Sequence, residues 1–318
     1  MSSKKSLLVR VSELYYYQKL SQNEIGKILG ISRPTVSRLL EEAKSEGIVE
    51  IRIKNNIEKD VELSNQLRRK YNLRDAIVVS GDYDPNEALH KCCTAGADLL
   101  TSVLEHNDII GINWGETVTT LVDKLNHEPM HNIQVIQMIG CLSTGNPKMD
   151  GLEHCIRMAN KFDATYLNIY APAFIRNDIV YDYLMNETQI KTTLKKASNV
   201  DVIVTGIGSL ENENSTLSRY GHLTEAERQN FLKLGGIGHL LGRVFNKAGQ
   251  EVKLPNREII STELDTFTKA KWSICIAYSN KGKTQAIISA IENNFINTLV
   301  VDEKLAKELL KENRALIQ

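Results

Sequence analysis

Between residues 6 and 19 apolar side chains recur at helical spacing. Leu7, Leu8, Val11, Leu14 and Tyr15 share one face, which predicts an amphipathic helix. Ser21 stands three residues before Glu24, the signature of a capping box, and the stripe Ile25, Ile28 and Leu29 predicts a second, shorter helix. Gly30 closes that helix, because glycine takes a left-handed conformation without steric cost. Ser32 caps a third helix with Pro34 in its first turn, where a missing N–H removes no helical bond. In that helix Val36, Leu39, Leu40 and Ala43 point inward, and Gly47 stops the run. Residues 48–54 then alternate Val49, Ile51 and Ile53 with Glu50, Arg52 and Lys54, as a half-buried strand does. Three helices and such a strand predict a winged helix-turn-helix, its break at 30–32 turning the third helix outward toward a DNA major groove.

Residues 55–75 read as a polar joint leading into a helix that carries Val61, Leu63, Leu67 and Tyr71. From Ala76 the texture changes. Short apolar runs at 76–80, 108–113, 133–140, 164–171, 200–208, 272–278 and 298–302 alternate with helical patterns at 86–104, 116–126, 151–161, 224–234 and 283–293. Repeated β-then-α units imply a largely parallel sheet with helices on both faces, and in such sheets ligands sit beyond the carboxyl ends of the strands. The organisation expected is therefore a DNA-binding head at 1–54, a linker helix at 55–75 and an α/β body at 76–318.

Composition sharpens this. A 42% hydrophobic, 25% charged chain is an ordinary soluble one, and its Lys plus Arg equal its Asp plus Glu. The balance is local, however: residues 1–54 carry +4 and the remainder −4, a basic head on an acidic body. A solvated helical face gives the same imbalance. Five cysteines, an odd number without a C-x-x-C pair, fit neither a disulfide framework nor a zinc site and point to reduced thiols in a cytoplasm. The amino-terminal stretch lacks a signal core, and no run of some 18 apolar residues predicts a membrane span. The histidines show no metal spacing. No metal, cofactor or catalytic residue is expected.

In the head, the first turn of the third helix gathers Ser32, Arg33, Thr35, Ser37 and Arg38. Arginine can donate two hydrogen bonds to guanine, and threonine can touch a thymine methyl or a phosphate. Lys27, Arg52 and Lys54 lie where the phosphate backbone would pass. A small protein-docking bundle is the alternative, but caps, turn glycine, polar first turn and wing all agree on duplex DNA.

In the body, Gly111–Val118 reads "GINWGETV", a strand end opening into a helix, and free helix N–H groups beside small residues form an anion pocket to which Thr117 adds a hydroxyl. An ordinary tight turn has the same pattern. "VTGIGS" at 204–209 is a second glycine-bearing strand end. "GKTQAI" at 282–287 places Lys283 at a helix start, where a cation opposes the dipole unless it shares a bound anion; a solvated lysine is the bland alternative.

Taken together, "YYYQKLSQNEIGKILGISRPTVSRLLEEAKSEGIVEI", "IGINWGETV", "APA" at 171–173, "TGIGS", "GRVFNKAG" at 242–249 and "KTQAI" resemble the SorC family of sugar-responsive bacterial transcription regulators, including its deoxyribonucleoside-regulator branch, over essentially the whole chain. The resemblance implies a winged helix-turn-helix joined to a Rossmann-like, doubly wound effector domain similar to phosphosugar isomerases. It also implies assembly into homo-oligomers, dimers or tetramers, and a phosphorylated sugar as effector. Carried onto this chain, the effector pocket comprises Asn113, Trp114, Gly115, Glu116 and Thr117, the turn Gly206–Gly208, Lys283 as phosphate partner, and Arg176 after "APAFI". The chain departs from the family pattern at Cys141, where a glycine is usual. Gly238, His239 and Leu240 stand where Gly-Asp-Ile is usual, so an imidazole (His239) replaces a hydroxyl-accepting carboxylate. Ser279 and Asn280 replace paired glycines.

Two functions compete. The first is a repressor-type regulator of a carbohydrate-utilisation operon that binds operator DNA under control of a sugar phosphate. The second is a sugar-phosphate isomerase carrying a DNA-binding head. An isomerase needs a positioned acid and base, for which Glu116 and His239 are the candidates, and no spacing pairs them.

Overall fold

In a computed structural model the chain is described for residues 3–49, 57–142, 150–211, 213, 215–280 and 282–312. It divides into two compact units, Met1–Asn56 and Ile57–Gln318.

The first unit is a three-helix bundle, α1 (Ser3–Ser12), α2 (Gln22–Leu29) and α3 (Arg33–Ser45), around Leu8, Val11, Leu14, Ile25, Val36, Leu39, Leu40 and Ala43. The single helix expected over 6–19 is instead α1 followed by a π-helical turn at Glu13–Tyr17. The Ser12 hydroxyl donates to the Leu8 carbonyl at 2.8 Å, and such back-bonding competes with the regular ladder where the helix widens. Ser21 and Glu24 form the capping box, and Gly30 follows α2 at φ 67°. Ile28 is not part of the buried stripe: it is 57% exposed. Gly26 takes the inward position instead, since any side chain there would run into the Ile31 carbonyl. The strand expected at 48–54 lies, from residue 50 on, outside the described residues, and so do Arg52 and Lys54.

The second unit is built on a seven-stranded, wholly parallel sheet. Its strands are β1 (Asp75–Val79), β2 (Ile109–Ile112), β3 (Gln134–Gln137), β4 (Thr165–Leu167), β6 (Val202–Thr205), β12 (Trp272–Ile276) and β13 (Thr298–Asp302). They lie in the order β1-β13-β12-β6-β2-β3-β4. All seven apolar runs of the sequence supply one strand each. Alternate side chains face opposite ways, as strand geometry requires. Val79, Val202, Val204, Ile274, Ile276 and Val300 pack on one face against α5 (Pro85–Val103), α6 (Glu116–Lys124) and α7 (Gly151–Phe162). Val78, Ile203, Cys275, Leu299 and Val301 pack on the other, with α4 (Val61–Tyr71), α13 (Lys283–Glu292) and α14 (Glu303–Lys311). Helix α4, read from sequence as a joint, is tied to this body: the Tyr71 hydroxyl donates to the Leu309 carbonyl at 2.6 Å.

Strand order reverses between β2 and β6. From β2 the chain steps through β3 to β4 on one side, and from β6 through β12 to β13 on the other. Above this switch point a four-stranded antiparallel sheet grows directly from the end of β6. It comprises β7 (Gly208–Ser209), β8 (Gly236–Leu240), β9 (Arg243–Asn246) and β10 (Glu251–Val252), in the order β10-β9-β8-β7. The remaining elements are the strand pair β5 (Phe174–Ile175) and β11 (Glu258–Ile259), and helices α8 (Asp178–Asn186), α9 (Thr188–Ala197), α10 (Thr216–Arg219), α11 (Glu225–Lys233) and α12 (Asp265–Lys269). No helix among the described residues is long and apolar enough to cross a membrane.

Candidate functional site

The switch point holds a cleft of about 370 Å³. Asn113 leaves the end of β2 and donates its side-chain amide to the Thr205 hydroxyl at the end of β6, 2.8 Å away. The loop that follows enters α6 through Gly115, whose φ of 123° excludes most side chains and which gives the helix no side-chain cap. Across the cleft α13 begins at Gly282, again with no side-chain cap. Both helices therefore present first-turn N–H groups without intrahelical partners, at the positive end of the dipole. His154, to which the sequence assigned no role, fixes the first of these loops. It is fully buried, with Nδ1 3.1 Å from the Asn113 carbonyl and Nε2 2.8 Å from the Thr119 hydroxyl.

Lys283 opens α13 and is buried, not solvated. Its ammonium sits 4.0 Å from the centre of the Tyr278 ring. Burial lowers its pKa, opposed by Cys275, Glu116 and Asp302. Among the described residues no carboxylate lies within ion-pair distance of it. An anion in the cleft would find a desolvated cation, already beside two open helix ends, with nothing to displace.

Opposite the lysine, β8 carries His239. Its ring packs against Gly208, where a Cβ would stand 1.9 Å from Nε2, so glycine there makes room for the imidazole. Burial, and the Arg257 guanidinium, bring the His239 pKa down to about 4, which leaves the ring neutral. His239 Nε2, Asn113 Oδ1 and Trp114 Nε1 are buried without a hydrogen-bond partner among the described residues. All three residues line the cleft that holds Lys283.

The cleft brings together Asn113, Trp114, Gly115, Glu116, Thr117, Gly206, Gly208, His239 and Lys283. Arg176 is not among its lining residues; its guanidinium pairs with Glu227. The lining also includes Ser215, Thr216, Arg219 and Tyr278, which the sequence did not single out. Arg219 pairs with Glu116 at 3.3 Å. It lies on a four-residue helix capped by Ser215, too short to show periodicity, and that cap was the one signal available. Of the departures from the family pattern, Ser279 receives a structural explanation: its N–H and hydroxyl donate to the Asp302 carboxylate at 2.7 and 2.8 Å. Cys141 is a partly buried filler whose pKa is pushed up to about 11 by burial. No cluster of three His, Cys, Asp or Glu side chains suited to a metal occurs among the described residues.

In the head unit, α3 exposes Arg33, Ser37 and Arg38. Lys27, at the end of α2, is exposed too. The carboxylates nearby are engaged within the bundle. Glu42 pairs with Lys4, Glu41 with Lys44 at 2.8 Å, and Glu24 caps Ser21. None of the described carboxylates pairs with Arg33, Arg38 or Lys27. The Ser32 and Thr35 hydroxyls are less available than the sequence suggested, since they bond each other at 2.8 Å and serve the helix cap.

These features define a regulator with a helix-turn-helix head and an α/β ligand-binding body, and comparison with known proteins agrees. Residues 55–311 match the family model described as "Putative sugar-binding domain", and residues 10–44 match sigma-70 region 4. The chain is 31% identical to the sorbitol operon regulator of Klebsiella pneumoniae over 96% of its own length and 98% of the relative's. It is 27% identical to the deoxyribonucleoside regulator of Bacillus subtilis, covering 97% and 98% of the two chains. The crystal structure of the full-length sorbitol operon regulator SorC superposes with a TM-score of 0.72 at 28% identity, over 98% of this chain and 100% of that one. The chain belongs to the SorC family of bacterial transcriptional regulators.

Proposed function

We propose that this regulator represses a carbohydrate-utilisation operon in the cytoplasm, as a homo-oligomer whose grip on operator DNA is set by a small phosphorylated sugar. The observation that carries the effector reading is the convergence of two uncapped helix starts and the buried Lys283 on one cleft. The phosphate occupies that end, with the turn Gly206–Gly208 and the Thr117 hydroxyl alongside. Asn113, Trp114 and His239 meet the sugar hydroxyls, and Glu116 stays at the rim with Arg219. Arg176 has no part in the pocket. The relatives named for sorbitol and deoxyribonucleoside regulation support a sugar as the ligand class.

The head engages the major groove through Arg33, Ser37 and Arg38, with Ser32 and Thr35 holding the first turn and Lys27 and Arg52 on phosphates. An effector alters operator affinity only in so far as it binds two arrangements of the protein unequally. The isomerase alternative lacks support: the Glu116 carboxylate is engaged by Arg219, and His239 has no acid or base partner among the described residues. Trp114 gives a direct test. With Trp272→Phe removing the other indole, titration with sugar phosphates should change Trp114 emission, while the unphosphorylated sugars bind at least 10-fold more weakly. Equal affinity for both would overturn the phosphate assignment, and turnover of any of these compounds would revive the enzyme.

A further inference from the structure

Helix α8 is unlike the other helices of the body in burying no residue. It rests on α9 through Tyr181, Leu184 and Met185, part of a small cluster with Ile190 and Leu194. Its outer side is apolar: Ile179 is 68% exposed, Val180 47% and Tyr183 74%. Isolated exposed apolar side chains are ordinary, but three within five residues on one helix form a patch of the kind that marks an interaction surface.

The charges around this patch indicate what covers it. Asp178 and Asp182 lie one turn apart on α8, and Lys191, Lys195 and Lys196 lie on α9, all exposed. The two helices meet at Glu187, which closes one and opens the next. None of these five charges forms an ion pair with a described residue of its own chain. A surface with an acidic helix beside a basic one is complementary to itself. A two-fold axis places the acidic helix of one copy against the basic helix of the other, so each contact is made twice. An acidic α8 is a poor match for an anionic membrane surface.

We propose that the outer face of the α8–α9 pair is a self-association surface, with a second copy of this chain as its occupant. Ile179, Val180 and Tyr183 form the apolar centre, and Asp178 and Asp182 face Lys191 and Lys195 of the other copy at the rim. An apolar core inside a charged rim is the usual anatomy of a specific interface, and a central tyrosine is a common anchor. The inference deepens the functional reading, because a regulator that reads paired half-sites needs paired heads. It concerns the body alone, however, and can fail separately.

The test is the solution mass of the full-length chain, measured by light scattering after size-exclusion chromatography, without DNA or effector. Wild type should elute as a dimer or a multiple of one. Ile179→Asp with Tyr183→Asp should halve that mass while leaving the thermal melt cooperative. Leu234→Asp, at an exposed leucine outside α8 and α9, should leave the mass unchanged. Asp178→Lys with Asp182→Lys should weaken assembly at least 10-fold in dissociation constant, and adding Lys191→Glu with Lys195→Glu should restore it. A monomeric wild type, or an unchanged mass in the Ile179/Tyr183 variant, would overturn the surface. Failure of the second charge reversal to restore assembly would overturn the pairing of α8 with α9. Loss of operator binding with the mass intact would instead count against the DNA-binding reading and leave this surface standing.

Discussion

Asn113 donates its side-chain amide to the Thr205 hydroxyl across 2.8 Å, and this bond joins the ends of β2 and β6 where the strand order reverses. Thr205 is fully buried, and its hydroxyl in turn donates to the Gly206 carbonyl at 2.7 Å. One side chain therefore sets both glycine-bearing loops of the cleft. Thr205→Val keeps the shape but leaves the Asn113 amide without its acceptor. It should destabilise the body by about 1–3 kcal/mol, the cost of an unsatisfied buried polar group. Effector affinity should fall as well, because the loop loses its anchor. Denaturant melts and calorimetric titration check the two effects.

Lys283 should separate stability from binding. A buried cation without a carboxylate partner among the described residues costs the fold desolvation energy, so Lys283→Met should leave the melting temperature unchanged or raise it. The same variant should lose roughly 10- to 100-fold in affinity for a sugar phosphate, about 1.5–3 kcal/mol for a hydrogen bond to a charged group. A large loss of stability with affinity unaltered would mark the lysine as purely structural.

His239 predicts a pH dependence. Its pKa is held near 4 in the folded chain against an ordinary 6.5, so in that interval the unfolded state binds more protons than the folded state. Stability contributed by the neutral ring is full above pH 6.5 and is lost as pH falls toward 4. The interval corresponds to about 3 kcal/mol, at about 1.4 kcal/mol per pKa unit. His239→Gln removes that titration. The difference in unfolding free energy between wild type and variant should therefore drift in favour of the variant between pH 6.5 and 4, and be flat above.

The two kinds of basic residue in the head should behave differently. Arg33→Ala removes a base-reading side chain, and each well-formed bidentate pair discriminates by about 1–3 kcal/mol, so specific affinity should fall while nonspecific affinity changes little. Lys27→Ala should weaken binding to all sequences alike and flatten the salt dependence by about one unit of slope for each phosphate no longer neutralised. Anisotropy titrations on operator and scrambled duplexes at several salt concentrations distinguish them.

Much of this architecture was legible from pattern. Short apolar runs specify parallel strands, and each of the seven found its place in the sheet, the edge strand β4 with Thr165 and Tyr166 exposed. The caps at Ser21 and Ser32 were equally plain, because their signals are local. The antiparallel sheet β7–β10 was not. Its strands run from two to five residues, and Gly236 and Gly238 interrupt the alternation that would reveal β8. Ile28 failed for a different reason: helical spacing identifies a face, but the close approach of Ile31 to Gly26 rotates the buried side of α2 away from it. Residues such as Arg219, on the short helix α10, and Tyr278, just past β12, reach the cleft only through the fold, and local sequence does not encode their convergence. The arginine carried over after "APAFI" went astray in the same way, since Glu227, distant in sequence, claims Arg176.

Occupancy of the cleft is proposed to govern the grip of the head on DNA. The most direct measurement is the affinity of the full-length chain for the duplex upstream of its own gene, titrated with and without each sugar phosphate that alters Trp114 emission. Specific binding should shift at least 10-fold with one such compound, and Lys283→Met should abolish that shift while binding without effector persists. An affinity that stays the same whether the cleft is filled or empty would contradict it.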